Sequence, residues 1–260
     1  MSAVKITDEN GIRWLTLSRP DQLNALTVEF LTELSEAFDS ASTDNNVRCL
    51  VITGSGRAFC SGADVDEWAS AEARGALETY GWTEAAHLTM VKLTKIPKPV
   101  IAMINGITVG AGLDLALCCD FRYASNKAKF KAGYTSMAYS PDAGSSWHLP
   151  RLIGLEKAKE FLFYDETWLA QRAHESGIIT GLFEAEKLST EVETLAKCLA
   201  AGPTFAYGKT KELLDIGSQN TLLIQLLLEQ ETGLLCGRSE DAKEAIKASI
   251  EKRKANFIGR

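Results

Sequence analysis

Two stretches rich in small residues have the types and spacing to do chemistry: Arg57-Ala58-Phe59-Cys60-Ser61-Gly62-Ala63-Asp64-Val65 and Asn105-Gly106-Ile107-Thr108-Val109-Gly110-Ala111-Gly112-Leu113-Asp114-Leu115. Small side chains let a ligand approach the backbone closely. In the second stretch, Gly110-Ala111-Gly112 runs into the helical apolar pattern of Leu113, Ala116 and Leu117, and the N–H groups that open a helix favour negative charge. One amide from each stretch could converge on a single oxygen, which is how an oxyanion formed from an acyl carbonyl is held; losing one such donor costs about 10²–10³ in rate. The same residues would also serve as plain strand-to-helix turns.

Four titratable side chains stand out beside these stretches. Asp142, in Ser140-Pro141-Asp142-Ala143-Gly144-Ser145-Ser146-Trp147, can act as an acid or base, or form an Asx-type turn ahead of a helix beginning near Ser145. Asp114 falls in a first helical turn, where the dipole and free N–H groups would stabilise it simply as a cap-region acid. His87, in Thr83-Glu84-Ala85-Ala86-His87, is either a base or an ordinary helix residue. Tyr134, a phenol with a pKa ordinarily near ~10, is a poor base. His148 and His174 are isolated and receive no role, and no His/Asp/Glu spacing suggests a metal site. Ser61, Ser145 and Ser146 have no base close in sequence, which leaves a serine hydrolase poorly supported. Cys60 is expected to pack beneath its loop. Lys95, Lys98 and the Lys252-Arg253-Lys254 run could meet phosphates or simply be solvated.

The elements that must position these groups follow a βα rhythm. Ile12–Leu17 alternates like a half-buried strand, and Thr27 caps a helical pattern through Phe30, Leu31, Leu34 and Phe38. Residues 49–53 and 100–104 are continuous apolar runs stopped by Gly54 and Asn105-Gly106, as expected of parallel strands covered on both faces and joined by helical crossovers. Residues 66–94 are helical in pattern, interrupted by Gly75 and Gly81, and would flank the site as a movable segment followed by a helix. After Ala200 only helical periodicity remains, through Leu213-Leu214, Leu222-Leu223, Leu226-Leu227-Leu228 and Leu234-Leu235. This predicts an α/β core over residues 1–200 and a helical region over 201–260 that packs on the core or on another subunit.

Composition narrows the function further. With 28 basic against 34 acidic side chains, the net charge of -6 has the wrong sign for broad binding to nucleic acid. The six cysteines contain no C-x-x-C pair and fit a reducing, cytoplasmic setting better than a disulfide framework or zinc site. No apolar run reaches membrane-spanning length and no signal-peptide pattern opens the chain, so neither secretion nor a membrane is expected.

Taken together, several motifs resemble the crotonase (enoyl-CoA hydratase/isomerase) superfamily. They are Arg19-Pro20 with Asn24-Ala25-Leu26, Ala-Phe-Cys-Ser-Gly-Ala-Asp at 58–64, Pro-Lys-Pro-Val-Ile-Ala-Met-Ile-Asn-Gly at 97–106, Gly-Ala-Gly-Leu-Asp-Leu-Ala at 110–116, Cys-Asp at 119–120 and Pro-Asp-Ala-Gly at 141–144. The likeness extends from about residue 10 to Phe257-Ile258-Gly259-Arg260. It implies a spiral of ββα units with a C-terminal α-helical trimerisation region, a homotrimer or homohexamer, and an acyl-coenzyme A substrate whose CoA is the carrier, with no separate cofactor. By the same resemblance the oxyanion donors are the N–H groups of Ala63 and Ala111. Ala111 stands where Gly is more usual, a change that leaves the backbone donor in place. Ala25, Ala63, Asp64 and Val65 would line the path of the CoA moiety, and Phe257 would cover a neighbour's adenine.

The reaction is narrowed by what stands at the family's acid/base positions. Hydratases of this family use two glutamates; those positions fall on Asp114 and Tyr134, which disfavours hydration. Asp142 instead matches the catalytic aspartate of an isomerase group typified by the ring-epoxide phenylacetyl-CoA isomerases, and residues 237–260 resemble that group too. One carboxylate suffices for a 1,3-proton shift, given a pKa raised by partial burial, expected here between Tyr139 and Trp147. The resemblance also admits an aryl-CoA dehalogenase with Asp142 as nucleophile and His87 as base. A non-catalytic acyl-CoA-binding module is a further alternative, since fold does not fix function.

Overall fold

Apolar runs and turn residues divide the chain as follows in a computed structural model that describes residues 2–76 and 79–260. The first half comprises β1 (Val4–Glu9), β2 (Ile12–Leu17), α1 (Val28–Thr43), β3 (Cys49–Gly54), β4 (Ala58–Cys60), α2 (Val65–Ala73), α3 (Trp82–Thr94), β5 (Val100–Ile104), β6 (Ile107–Val109) and α4 (Ala111–Leu117). Then come β7 (Phe121–Ser125), β8 (Lys129–Lys131), α5 (Ser145–Ile153), α6 (Leu155–Tyr164), β9 (Trp168–Leu169), α7 (Ala170–Ser176) and β10 (Gly181–Phe183). The chain ends in α8 (Leu188–Ala200), α9 (Thr204–Gly217), α10 (Leu222–Gly237) and α11 (Glu240–Ile250).

Among the described residues the strands form two sheets, ordered β1-β2-β3-β5-β7-β10 and β4-β6-β8-β9. Strands β2, β3, β5, β7 and β10 run parallel, while β1 pairs antiparallel with β2 through Asn10-Gly11, both at positive φ as the tight hairpin turn requires. Each of β3, β5 and β7 is followed after a short turn by β4, β6 or β8 in the small sheet, and helices intervene before the next large-sheet strand. This is the α/β spiral of ββα units expected from the sequence.

The apolar runs are explained by cover on both faces. Leu50 and Ile52 of β3 join the main core with Phe30, Leu34 and Phe38 of α1, whereas Cys49 and Val51 face Val192 and Ala196 of α8. Both sets of strand residues are fully buried. Thr27 caps α1 as its sequence position suggests, its side chain accepting from the Phe30 amide at 3.1 Å. Lys98 is held inside rather than solvated: its ammonium donates to the Ala41 and Asp44 carbonyls at 2.6 Å each, so a phosphate-binding role is corrected.

After α8 the described secondary-structure elements are all helices, and residues 251–260 form a non-helical tail. Helix α9 lies against the core, where a Cβ on Gly208 would fall 2.5 Å from the Pro97 carbonyl oxygen and Lys211 pairs with Asp120 at 2.9 Å. The tail folds back: Asp241 accepts from the Ile258 and Gly259 amides, and Arg48 donates to the Phe257 carbonyl at 2.8 Å. Helix α10 buries none of its residues and exposes Leu222, Leu223, Leu227 and Leu234. Among the described residues no helix is long and apolar enough to cross a membrane.

Candidate active site

The parallel strands β4, β6 and β8 end at the same level, so the three segments that follow them are stacked side by side. Ser61, Gly62 and Ala63 follow β4; Gly110 and Ala111 follow β6; Gly133 and Tyr134 follow β8. All seven residues line one cavity of about 440 Å³, closed further by Val65, Trp68, Tyr80, Trp82, Tyr139 and Asp142. Ligands of parallel α/β sheets characteristically bind at such carboxyl ends.

Glycines set the spacing of these segments. Gly62 sits at φ +91, and a Cβ there would lie 2.9 Å from the Val109 carbonyl oxygen and 3.3 Å from the Ala111 amide nitrogen. A Cβ on Gly112 would overlap the Cys60 carbonyl oxygen at 2.2 Å, so α4 rests directly on β4. The first segment is fixed from the other side by Leu26, whose amide donates to the Gly62 carbonyl at 2.7 Å and whose carbonyl accepts from the Asp64 amide at 3.0 Å. Both bonds leave the intervening Ala63 N–H pointing away from Leu26. Among the described residues neither the Ala63 nor the Ala111 N–H has a protein acceptor. The Ala111 amide opens α4, where the dipole adds to its attraction for an anion.

The motif around Asn24 is scaffolding for this arrangement. Fully buried Asn24 donates to the Ser55, Ala58 and Phe59 carbonyls at 2.9–3.1 Å and accepts from the Arg19 amide at 2.9 Å. Arg19 in turn donates to the Ala25 carbonyl and pairs with Asp64 at 2.9 Å, while Asp64 caps α2 by accepting from the Glu67 amide at 3.2 Å. Ala25 and Asp64 therefore stand beside the cavity without lining it, whereas Val65 does line it. Phe257 belongs to the tail against Arg48. Cys60 is buried as expected, its thiol pushed up to about 12 by burial.

The carboxyl groups form a buried cluster. Asp142 lines the cavity, and burial raises its carboxyl above the ordinary range against the opposing pull of its own amide, of His87 and of the Tyr134 hydroxyl. Asp114 lies beneath, fully buried, and accepts hydrogen bonds from the Tyr134 and Ser145 hydroxyls. Burial pushes it up to about 7, with the two hydroxyls lowering it and Asp142 raising it. This corrects the expectation of a cap-region acid stabilised in its charged form: with no solvent, desolvation outweighs the helix terminus. Burial and the neighbouring Asp114 also raise the Tyr134 phenol, which stays protonated.

Other sequence expectations shift in three dimensions. Trp147 does not flank Asp142 in the cavity; it stacks under Arg151 and lines a separate cavity of about 610 Å³. Tyr139 does share the Asp142 cavity, edge-on to Trp68. His87 also lines the second cavity, and its Nε2 lies 2.7 Å from the main-chain oxygen of Asp142. Ser145, which has no base near it in sequence, meets Asp114 in space. The half-buried His148 imidazole is lowered to about 4 by desolvation and by the charges of Arg122 and Arg151, and contacts the Cys118 thiol at 3.5 Å. One positioning residue escaped the sequence reading: Asp165 accepts from the Gly133 amide at 2.6 Å and the Ser136 amide at 3.0 Å, fixing the turn that carries Tyr134. Its only sequence signal is an Asp just after a helix, which is too common to have found it.

Comparison with known proteins extends the geometry. The enoyl-CoA hydratase/isomerase family model matches residues 7–260. The 1,2-epoxyphenylacetyl-CoA isomerase of Escherichia coli (strain K12) is 36% identical over 254 residues, covering 97% of each chain. The 4-chlorobenzoyl coenzyme A dehalogenase-2 of an Arthrobacter species is 32% identical over 221 residues, covering 84% of this chain and 80% of that one. Among solved structures, an enoyl-CoA hydratase from Bacillus anthracis superposes with a TM-score of 0.92 at 31% identity, covering 99% of this chain and 100% of that one. A spiral of ββα units whose stacked strand ends bring Ala63 and Ala111 to one cavity, matched over nearly its whole length, belongs to an acyl-CoA-processing enzyme of the enoyl-CoA hydratase/isomerase (crotonase) family.

Proposed function

We propose that this enzyme moves a double bond of an enoyl-CoA thioester from the β,γ to the α,β position, with Asp142 as its single acid/base. The carboxylate of Asp142 takes a proton from the α-carbon, and the C–H electron pair moves onto the thioester oxygen as an enolate. The Ala63 and Ala111 N–H groups hold that oxygen. Collapse of the enolate carries the electron pair through to the γ-carbon, which takes the proton back from Asp142, leaving the double bond conjugated with the thioester. The raised carboxyl of Asp142 suits a base that must abstract a weakly acidic proton near neutral pH.

The observation that carries this reading is the shared cavity: two amides without protein acceptors and one partly buried carboxylate line the same 440 Å³ space. Asp114 is the secondary carboxyl, held beneath Tyr134 and outside that space. Ala25, Asp64 and Val65 border the CoA path, with Phe257 reaching a neighbour's adenine in a homotrimer or homohexamer. CoA is the substrate's carrier, and no further cofactor or metal enters the chemistry. A cytoplasmic setting goes with four buried free thiols.

A dehalogenase reading, with Asp142 attacking an aryl carbon and His87 activating water, draws support from the Arthrobacter relative. Against it, the His87 ring borders the other cavity and is engaged by the Asp142 carbonyl. Hydration is disfavoured by a phenol, Tyr134, where a second carboxylate is needed. Assay of β,γ-enoyl, α,β-enoyl and 4-halobenzoyl CoA thioesters for conjugation, hydration and halide release separates these activities. Conjugation is the expected result; halide release or hydration without it overturns the isomerase reading, and binding without any turnover makes the chain an acyl-CoA-binding module.

A further inference from the structure

Asp142 sits in a segment whose main chain has few hydrogen bonds to other elements. Residues 135–140 are exposed, and the main-chain hydrogen bonds of Met137, Ala138 and Tyr139 are local, returning to Tyr134 and Thr135. Among the described residues, one hydrogen bond reaches the main chain of residues 140–143 from another element: His87 Nε2 to the Asp142 carbonyl oxygen, 2.7 Å. A carbonyl only accepts, so Nε2 carries the proton in this contact.

The helix that supplies the histidine is firmly seated. Thr89 of α3 donates to the Leu31 carbonyl of α1 at 3.0 Å, the Trp82 indole donates to the Leu26 carbonyl at 2.9 Å, and Ala86 and Leu93 are fully buried against the core. His87 itself is on the exposed side of this helix, facing the turn. Behind the turn, Ala143 and Gly144 border the 610 Å³ cavity together with His87, while Asp142 borders the 440 Å³ cavity. The turn is therefore a wall between two spaces, anchored by Ala143 in the main core and held at the Asp142 carbonyl by one imidazole.

We propose that His87 is a positioning residue for the reaction: its Nε2–H clamps the main chain of Asp142 to α3 and so fixes where the carboxylate stands relative to the substrate's α-carbon. The proposal rests on the isomerase reading, in which Asp142 is the acid/base. His87 touches neither substrate nor proton in transit, and its effect is on orientation, to which proton transfer is steep.

The test is steady-state isomerisation of a β,γ-enoyl-CoA by His87→Ala, His87→Gln and Asp142→Asn. A glutamine can present an N–H where Nε2 stands; alanine cannot. His87→Ala is expected to lower kcat by about 10- to 100-fold with KM within about twofold, and His87→Gln to recover most of that loss. The exposed position of His87 predicts unchanged thermal unfolding for both. Wild-type kcat in His87→Ala overturns the proposal, as does a His87→Gln variant no better than alanine or a defect confined to KM. Those results leave the isomerase reading standing if Asp142→Asn is inactive. Wild-type activity in Asp142→Asn overturns that reading, and the role of His87 with it.

Discussion

Three oxygen-bearing side chains, those of Asp142, Tyr134 and Asp114, set the electrostatics of the cavity, and burial orders them from the cavity wall inward. Asp142→Asn keeps the shape of the side chain and removes the base. Isomerisation is expected to fall by about 10²–10⁴-fold while binding of an unreactive acyl-CoA analogue, measured by calorimetry, stays within about twofold. Asp114 makes a different prediction. Its carboxyl is raised from the ordinary 3.8 to about 7 in the folded chain, so between those pH values the folded state holds a proton that the unfolded state has lost. This group's contribution to stability therefore declines as pH rises through that window. Asp114→Asn retains an acceptor for the Tyr134 and Ser145 hydroxyls and cannot ionise, so its Tm should fall less between pH 5 and pH 8 than that of the wild type. An equal or larger fall in the variant would show that Asp114 titrates normally.

At the scale of elements, the proposed oxyanion geometry depends on how closely α4 and the segment after β4 approach each other. Glycine permits that approach twice: Gly112 lies against the Cys60 carbonyl, and Gly62 adopts positive φ beside Ala111. Gly112→Ala would drive the added Cβ into the Cys60 carbonyl, and overpacking of this kind costs about 1–3 kcal/mol or more. Denaturant unfolding should show that loss, with isomerisation reduced beyond the loss of folded protein because the Ala63 and Ala111 amides separate. A variant with wild-type stability and kcat would mean that the two segments are free to move apart.

At the scale of the whole molecule, α10 presents an apolar face that the chain's own core does not cover. On α10, Leu223 and Leu227 are 69% and 58% exposed, and Leu222 and Leu234 flank them. Isolated exposed leucines are ordinary, whereas a contiguous face of them marks an interaction surface. Sedimentation equilibrium should return three or six copies of the 28.3 kDa chain, and Leu223→Gln with Leu227→Gln should shift the population toward smaller species. A wild-type chain that sediments as a monomer would assign this face to something other than self-association.

Much of this was legible in the residues themselves. Continuous apolar runs at β3 and β5 announced strands covered on both faces, because burial on two sides leaves no position for polar residues. The small residues at 61–64 and 110–112 announced close backbone approach, since only glycine fits where a Cβ would strike a carbonyl. Hairpin strand β1 was marked by Asn10-Gly11 and overlooked. What only the tertiary structure decided was which groups meet and in what protonation state. Asp114 is separated by 20 residues from Tyr134 and by 31 from Ser145, and His87 by 55 from Asp142. Periodicity speaks for neighbours a few residues apart, whereas these contacts exist because distant strands end at one level and the helices between them are packed. The pKa shifts arise from the same cause, because desolvation depends on what the rest of the chain places around a carboxyl.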